Sequence, residues 1–275
     1  MTTESVDHSD TTTRPSLNLL LPGFDGHKAT PADSVAGSEI VFTNSYGSRV
    51  SHRFEATAVE WRYDPGAGDP HPVASGRSDY EAFDVAPGLV YAQFHHRRDV
   101  PNTAVSLVVD HDSGHTLAIV STIGEPSAGR TRVRHNVLPG VIEGREPDRP
   151  GPAPTTALVG RRLRWSFSDV HRYEHIHLEP HSYTWHCVAG PEAGLADTVE
   201  CTTYRLRPGI HVLASREKVN PWASVTVTDL RDHTSLRAHG AVFGLDETGE
   251  LPTHLTFGAV GEYIGPPART GSASA

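Results

Sequence analysis

The sequence predicts an all-β protein composed of two tandem antiparallel eight-stranded barrels. Apolar and polar residues alternate over most of the chain, which is typical of half-buried strands, and no amphipathic stretch of ten or more residues predicts a helix. The stretch from Val35 to Gly124 also follows the same plan as the stretch from Leu158 to Gly244. Repetition on this scale indicates two domains of one kind.

The repeats share their order of strands and turns. The first opens with V-A-G-S-E-I-V-F and the second with L-V-G-R-R-L-R-W, and each later reaches a proline–glycine turn, at Pro87-Gly88 and Pro208-Gly209. Turn residues divide each repeat into about seven or eight strands. An antiparallel meander of that size loses its open edges by closing into a barrel, and an eight-stranded barrel can hold one small ligand.

Composition at the ends and in the middle of the chain predicts the domain boundaries. Residues 1–16 and 266–275 are poor in large apolar side chains and are predicted to be disordered tails. Residues 144–156 contain four prolines and are predicted to be a stiff linker that does not pair with a sheet. The N-terminal barrel is therefore expected over 17–143 and the C-terminal barrel over 157–265.

Composition also limits the classes of partner. The net charge is −9 and no basic stripe is present, which argues against nucleic acid and anionic membranes. No apolar run is long enough to span a bilayer, and the N-terminus lacks the features of a secretory signal. The two cysteines do not indicate a disulfide framework. We expect a cytoplasmic protein, and homodimerisation stays open.

Polar residues that share a strand face in the second repeat predict a site inside the C-terminal barrel. Tyr173, His175 and His177 lie on one face of the strand 171–178. On a later strand Ser215 and Glu217 share a face with an apolar residue that is expected to point inward. A carboxyl group that faces an aromatic cavity has a raised pKa because its charged form is poorly solvated. Such an acid suits proton transfer near neutral pH, so Glu217 is the predicted general acid, with Tyr173 and His175 binding the substrate.

Aromatic residues at strand spacing would line this cavity, although such residues are more often plain core. Lys218 is the only lysine within the repeats. It is a further substrate-binding candidate. For both Lys218 and Glu217 the alternative is a solvated charge at the protein surface. The remaining predicted binding residues are Trp165, Phe167, His177, Tyr183, Trp185 and Ser215.

Eighteen histidines in the chain also raise the possibility of a metal enzyme. His175 and His177 share a strand face, with His171 and His186 nearby in sequence, and zinc would need at least three such ligands and an open position. The leading interpretation includes no metal site, and no cofactor is expected. The chain contains no G-x-G-x-x-G, G-x-x-x-x-G-K-[ST], G-x-S-x-G or C-x-x-C motif, which removes the simplest nucleotide-binding, serine-hydrolase and redox interpretations.

Several motifs of the second repeat resemble the molybdenum cofactor biosynthesis protein F (MoaF) family. They are Y-E-H-I-H-L at 173–178, Y-T-W-H-C at 183–187, G-P-E-A-G-L-A-D-T at 190–198 and R-E-K at 216–218. The resemblance covers nearly the whole chain, because that family also has an N-terminal and a C-terminal domain. It implies two tandem antiparallel eight-stranded lipocalin-like (calycin) β-barrels, and it implies no established reaction.

The strand order of residues 160–244 is also distantly similar to that of phenolic acid decarboxylases, which are cofactor-free barrel enzymes. In those enzymes a glutamate protonates the vinyl carbon of the substrate, and the resemblance places Glu217 at this position and Tyr173 at a tyrosine that lines the pocket. The residues that hold the substrate carboxylate are replaced here by Trp165, Phe167 and Leu195. The resemblance therefore supports proton transfer by Glu217 and leaves the substrate open.

The leading hypothesis is a cofactor-independent lyase, isomerase or cyclase that acts on a small hydrophobic or aromatic molecule. The alternatives are a non-catalytic binder or carrier of a small metabolite, linked to molybdenum cofactor metabolism through the resemblance, and a metal-dependent enzyme. In the first repeat His96 takes the place of Glu217, and a histidine can also serve as an acid or base near neutral pH. His52 and Trp61 are the other candidates there, and the alternative role of the first barrel is that of a structural partner.

Overall fold

The computed structural model describes residues 22–126, 131–217, 221–246 and 248–265, and these are organised as two closed antiparallel β-barrels without a helix. This confirms the predicted fold class. The described residues include no helix of the length and apolarity required to cross a membrane. Lys218 and both predicted tails, 1–16 and 266–275, lie outside the described residues.

The first barrel is an up-and-down meander in which each strand pairs with the next and β1 pairs with β8, as in Phe42 opposite Ile142. Its interior is filled by a core that includes Phe42, Phe54, Phe94 and Leu107. Its strands are β1 (Glu39–Asn44), β2 (Arg49–Phe54), β3 (Ala58–Asp64), β4 (Ala74–Ala86), β5 (Leu89–His95), β6 (Thr103–Asp110), β7 (His115–Ile123) and β8 (Val133–Ile142).

The second barrel repeats this plan and is closed by pairing of its third and fourth strands, as in Tyr183 opposite Val199. Its first and last strands also pair, with Trp165 opposite Gly261. Preceded by β9 (Ala153–Pro154), its strands are β10 (Arg162–Ser166), β11 (Arg172–Glu179), β12 (Ser182–Ala189), β13 (Ala196–Arg207), β14 (Ile210–Arg216), β15 (Trp222–Asp229), β16 (Leu236–Leu245) and β17 (Pro252–Tyr263).

The proline-rich segment between the barrels differs from the prediction, because part of it pairs with a sheet. The short strand β9 lies beside β13, with Pro154 opposite Tyr204. Proline lacks only the N–H donor, and the next residue supplies one, since the Thr155 N–H donates to the Thr203 carbonyl at 3.0 Å. A two-residue strand at the outside of a sheet therefore tolerates proline.

The two barrels pack against each other through the outer faces of β5–β7 and β14–β15. Tyr91 and Leu117 of the first barrel share one buried cluster with Ile210 and Val227 of the second, and the Tyr91 hydroxyl donates to the Val225 carbonyl at 3.1 Å. All seven residues of β5 are buried, because one face fills the barrel and the other face meets the neighbouring barrel. This explains why β5 is almost continuously apolar in sequence.

Candidate functional site

The second barrel encloses a cavity of about 140 Å³ between its strands. An engineered cavity of about 150 Å³ is known to hold benzene, so the space suits one small ring. Most of the wall is aliphatic or aromatic, and each predicted aromatic residue is buried on it. The aromatic residues of the wall that come from the barrel are Trp165, Phe167, Tyr173, Tyr183, Trp185, Trp222 and Phe257.

Two glycines make room for two of these rings on neighbouring strands. A Cβ atom at Gly261 would come within 2.4 Å of the Trp165 ring, and one at Gly240 would come within 2.3 Å of the Phe257 ring. Both distances are far below van der Waals contact, so a side chain at either position would displace the ring. The glycines on β16 and β17 thus determine where two walls of the cavity stand.

A tyrosine–glutamate pair forms the first polar group on the wall. The Tyr173 hydroxyl donates to Glu192 Oε2 at 3.0 Å, and both residues are buried, with 7% and 6% of their surface exposed. Burial, with the Glu192 carboxylate as the next cause, raises the pKa of Tyr173. The tyrosine is therefore a neutral hydrogen-bond donor at pH 7.

Glu192 was missed by the sequence analysis, which named only the motif around it. It lies in the β12–β13 turn, within G-P-E-A-G at 190–194. The sequence around this glutamate, with turn-forming glycine and proline beside it, is typical of a solvated loop. Only the folded barrel brings its side chain into contact with Tyr173. The signal that could have found it is that motif, which the family resemblance had already singled out.

Glu217 forms the second polar group on the wall and lies immediately after β14. Its backbone N–H donates to the Trp222 carbonyl at 2.9 Å, which fixes the residue at the start of the β14–β15 turn, and its side chain lines the cavity. Burial, followed by the Glu217 carboxylate, raises the pKa of the nearby Tyr183. The structure therefore places Glu217, Tyr173 and Glu192 on one cavity.

A row of hydroxyl groups connects the Glu217 region to the opposite strand. The Tyr183 hydroxyl donates to Ser215 Oγ at 3.3 Å, and Ser215 Oγ lies 2.8 Å from Ser224 Oγ. Ser215 itself is buried and is not on the cavity wall, whereas Ser224 is. Ser215 therefore holds the hydroxyl of Tyr183 in place, and the Tyr183 ring lines the cavity.

His175 and His177 line the cavity on the same strand face as Tyr173. Burial, followed by the neighbouring His177, lowers the pKa of His175 to about 3, and burial, followed by His211, lowers the pKa of His177 to about 4. Both rings pack against Tyr183, with centroids 5.0 and 5.6 Å away. At pH 7 they are neutral groups that can donate or accept a hydrogen bond.

The other two histidines of the metal hypothesis point elsewhere. The His171 Nε2–H donates to the Pro22 carbonyl at 2.9 Å, and His186 faces Glu174 on the other side of the sheet, with Nδ1 3.9 Å from Oε2. Within the parts of the chain that the structure describes, no three His, Cys, Asp or Glu side chains are grouped so that they could hold a metal ion.

The segment 22–28, which precedes the first barrel, covers one end of the second. The His27 N–H donates to the Phe167 carbonyl at 2.8 Å, and the Phe24 ring stacks on the Phe167 ring with centroids 4.3 Å apart. Phe24 also meets Tyr173 and Phe257 edge to face. One wall of the cavity therefore comes from a residue that is more than 130 positions away in sequence.

A second, polar cavity of about 600 Å³ lies between the barrels. Its wall includes Lys28, whose Nζ donates to Glu81 Oε1 at 3.0 Å and to Thr256 Oγ1 at 3.1 Å. Phe24 and Leu255 line both cavities. These two side chains therefore separate the aromatic cavity from the polar space outside it.

The candidates in the first barrel line neither cavity. His52 is buried between aromatic rings, with centroids 5.8 Å from Phe42 and 5.4 Å from Phe94, and burial lowers its pKa to about 3. Trp61 packs on His96 at 4.2 Å, and His96 Nδ1 lies 3.0 Å from Ser78 Oγ. These residues belong to the packed interior of that barrel.

The fold and the internal cavity define a tandem lipocalin-like β-barrel protein. Models of the MoaF N-terminal domain and the MoaF C-terminal domain match residues 14–125 and 152–266, so the chain belongs to the MoaF family. Protein MoaF of Klebsiella aerogenes is 35% identical over 124 residues. That match covers 44% of this chain and 46% of the relative, so it spans about half the relative's length.

Among solved structures, a candidate β-lactamase from Burkholderia vietnamiensis is similar at 14% identity with a TM-score of 0.31. The likeness covers 39% of this chain and 95% of that chain. At this level of similarity it supports no conclusion about function.

Proposed function

We propose that the second barrel binds a small hydrophobic or aromatic metabolite and converts it without a cofactor, in a lyase or isomerase type of reaction. The observation that supports this proposal is the presence of Glu217 and the Tyr173–Glu192 pair on one aromatic cavity. Polar groups that converge in an otherwise apolar cavity are the usual arrangement of a small-molecule site. Their carboxyl and hydroxyl groups are those that general acid–base catalysis uses.

The residues divide into groups that move protons and groups that hold the ligand. Glu217 delivers a proton to, or takes one from, a carbon atom of the ligand, and Glu192 exchanges the balancing proton through the Tyr173 hydroxyl. His175 and His177, which are neutral, hydrogen-bond the polar end of the ligand. The buried aromatic rings hold its flat body by stacking.

The second candidate function is a carrier that binds the same ligand without reaction. Membership of the MoaF family suggests a link to molybdenum cofactor metabolism, and the cavity serves a carrier as well as it serves an enzyme. Fold alone does not separate these functions, because barrels of this kind host many of them.

The first experiment identifies the ligand. Native mass spectrometry of the full-length protein, purified from its own host, detects any small molecule that is retained, and the released compound is then incubated with the protein in D₂O. A proton-transfer enzyme either converts the compound or exchanges one carbon-bound hydrogen for deuterium. A carrier returns the compound unchanged in mass and structure.

The second experiment tests Glu217 itself. The variant Glu217→Gln keeps the size of the side chain but removes its exchangeable acid, so the ligand should still bind, with affinity lowered by no more than about tenfold, while conversion or deuterium exchange falls by at least about 100-fold. The exposed Glu250→Gln is the matched control and should behave as the unaltered protein. Full conversion by Glu217→Gln would exclude the assigned role.

A further inference from the structure

We propose that the cavity of the second barrel selects ligands that carry a positive charge next to a small ring, such as an aromatic amine or a protonated nitrogen heterocycle, over acids of the same shape. This inference rests on the proposed function, because it assumes that the cavity binds a small metabolite. It goes further by naming the chemical class of that metabolite.

The charged groups on the wall are the first argument. Among the residues that the structure describes, the wall of this cavity contains two carboxyl side chains, Glu192 and Glu217, and no lysine or arginine. The two histidines on the wall are neutral at pH 7, since burial holds their pKa values near 3 and 4. A carboxylate ligand would therefore lose its hydration without meeting a cationic side chain on the described wall, which is strongly unfavourable in a poorly solvated space.

The two glutamates also lie at the same end of the barrel. Glu192 belongs to the turn between β12 and β13, and Glu217 begins the turn between β14 and β15. In an up-and-down antiparallel barrel, alternate turns lie at the same end. Both carboxyl groups that line the cavity therefore come from turns at one end of the barrel.

The aromatic wall is the second argument. The face of an aromatic ring carries negative charge density and attracts cations, most strongly for tryptophan. Trp165, Trp185 and Tyr173 are buried on the wall, and the Tyr173 and Trp185 rings stand at a steep angle with centroids 6.2 Å apart. Rings at an angle to one another, with carboxyl groups beside them, are the arrangement by which proteins recognise ammonium groups.

The volume of the cavity suits a ligand of about one ring. The cavity of about 140 Å³ is close to the space that holds benzene in an engineered protein, so a ring with a one-carbon substituent is a suitable probe. Benzylamine, benzyl alcohol and benzoate share this skeleton and differ in charge, being cationic, neutral and anionic at pH 7. They therefore test charge at nearly constant shape.

The experiment measures the affinity of the full-length protein for these three compounds by isothermal titration calorimetry at pH 7 and low salt. Benzylamine should bind tightest, and benzoate should bind at least tenfold more weakly than benzylamine. If benzoate binds as well as benzylamine or better, the proposed charge selection is wrong while the cavity remains a ligand site. If none of the three binds, the proposed function fails together with this inference.

Charge-neutral variants locate the selectivity. Glu192→Gln and Glu217→Gln should each weaken benzylamine binding by about three- to tenfold and should leave the affinity for benzyl alcohol within twofold. The benzyl alcohol measurement also shows that the cavity is still formed, so loss of folding cannot imitate the expected result. The exposed Glu250→Gln control should change neither affinity. A preference for benzylamine that persists in the double Glu192→Gln, Glu217→Gln variant would contradict the role of the two carboxyl groups.

Discussion

The ring of Phe24 stacks on the ring of Phe167, with centroids 4.3 Å apart and planes 15° apart. Phe24 precedes the first barrel, whereas Phe167 directly follows β10, the first strand of the second. The contact therefore joins the beginning of the chain to the wall of the downstream cavity. It also places an aromatic side chain between the interior of the second barrel and the polar cavity that lies between the barrels.

Replacement of this side chain tests whether Phe24 controls entry to the cavity. Phe24→Ala removes the ring from the shared wall, so ligand association and dissociation should both become faster, by about tenfold or more, while affinity changes less. Loss of a half-buried stacked ring should also cost about 1–2 kcal/mol of unfolding free energy. Stopped-flow measurement of the intrinsic tryptophan fluorescence gives the rates, and urea unfolding gives the stability.

Tyr46→Ala is the matched control for this experiment, because Tyr46 is an aromatic residue with 59% of its surface exposed. It should leave the binding rates unaltered. Unchanged rates in Phe24→Ala would mean that the ligand reaches the cavity by another route.

The glycine opposite Trp165 should be intolerant of any side chain. Gly261→Ala places a methyl group 2.4 Å from the Trp165 ring, and the forced movement of that ring should cost about 1–3 kcal/mol and alter the near-ultraviolet circular dichroism of the tryptophan. Gly124→Ala is the control, because the nearest atom to its added methyl group is 3.5 Å away. Equal stability of the two variants would contradict the close packing described here.

The hydrogen bond between Tyr173 and Glu192 should contribute measurably to stability. Tyr173→Phe leaves a buried carboxyl oxygen without this donor, so the variant should lose about 1–3 kcal/mol of unfolding free energy. In a double-mutant cycle with Glu192→Gln, the coupling energy should be about 1 kcal/mol or more. Additive losses in the cycle would show that the two side chains do not interact in solution.

Acid should destabilise the protein through its buried histidines. Burial, with nearby His96 as the next cause, lowers the pKa of His52 to about 3, whereas an unfolded histidine titrates near 6.5. The unfolded state therefore binds more protons below that value. The contribution of His52 is complete above about pH 6.5 and is lost progressively as the pH falls towards 3.

Urea unfolding between pH 7.5 and 4.5 measures this dependence. His52→Phe fills the same aromatic surroundings without a titrating group, so it should reduce the slope of unfolding free energy against pH by up to about 1.4 kcal/mol per pH unit. The exposed His181→Gln controls for the loss of one histidine. An unreduced slope in His52→Phe would assign the acid sensitivity to other residues.

An ion pair between the barrels should stabilise their association. Arg207 of the second barrel donates to Asp110 of the first through Nη2 at 2.7 Å and Nε at 2.9 Å, and both side chains are largely buried, with 16% and 9% exposed. Arg207→Met leaves that carboxylate without its cationic partner, so the variant should lose about 2–4 kcal/mol. Arg149→Met removes an exposed pair with Asp148 and should cost less than about 1 kcal/mol. Thermal unfolding compares the two, and equal losses would contradict the importance of the interface pair.

The sequence by itself determined the fold class and much of the cavity wall. Alternation along strands such as 162–166 and 182–189 depends on which side chains face the core, and that information is local. For the same reason Trp165, Tyr173 and Trp185 could be assigned to the inner face from sequence, and the position of Glu217 followed from its spacing to Leu213. The internal repeat then supplied the number of domains.

Only the tertiary structure showed which strands close each barrel, which distant residues reach the cavity and which barrel interior is filled. The repeats visible in sequence end at Gly124 and Gly244, and the strands that follow them, Val133–Ile142 and Pro252–Tyr263, complete the barrels. Phe24 and Glu192 reach the cavity from a preceding segment and from a turn, through contacts between residues that are distant along the chain or lie outside a regular strand. The interior of the first barrel is filled by Phe42, Phe54 and Phe94, whereas the second retains a cavity, because side-chain packing, and not strand order, determines whether a barrel of eight strands is solid or hollow.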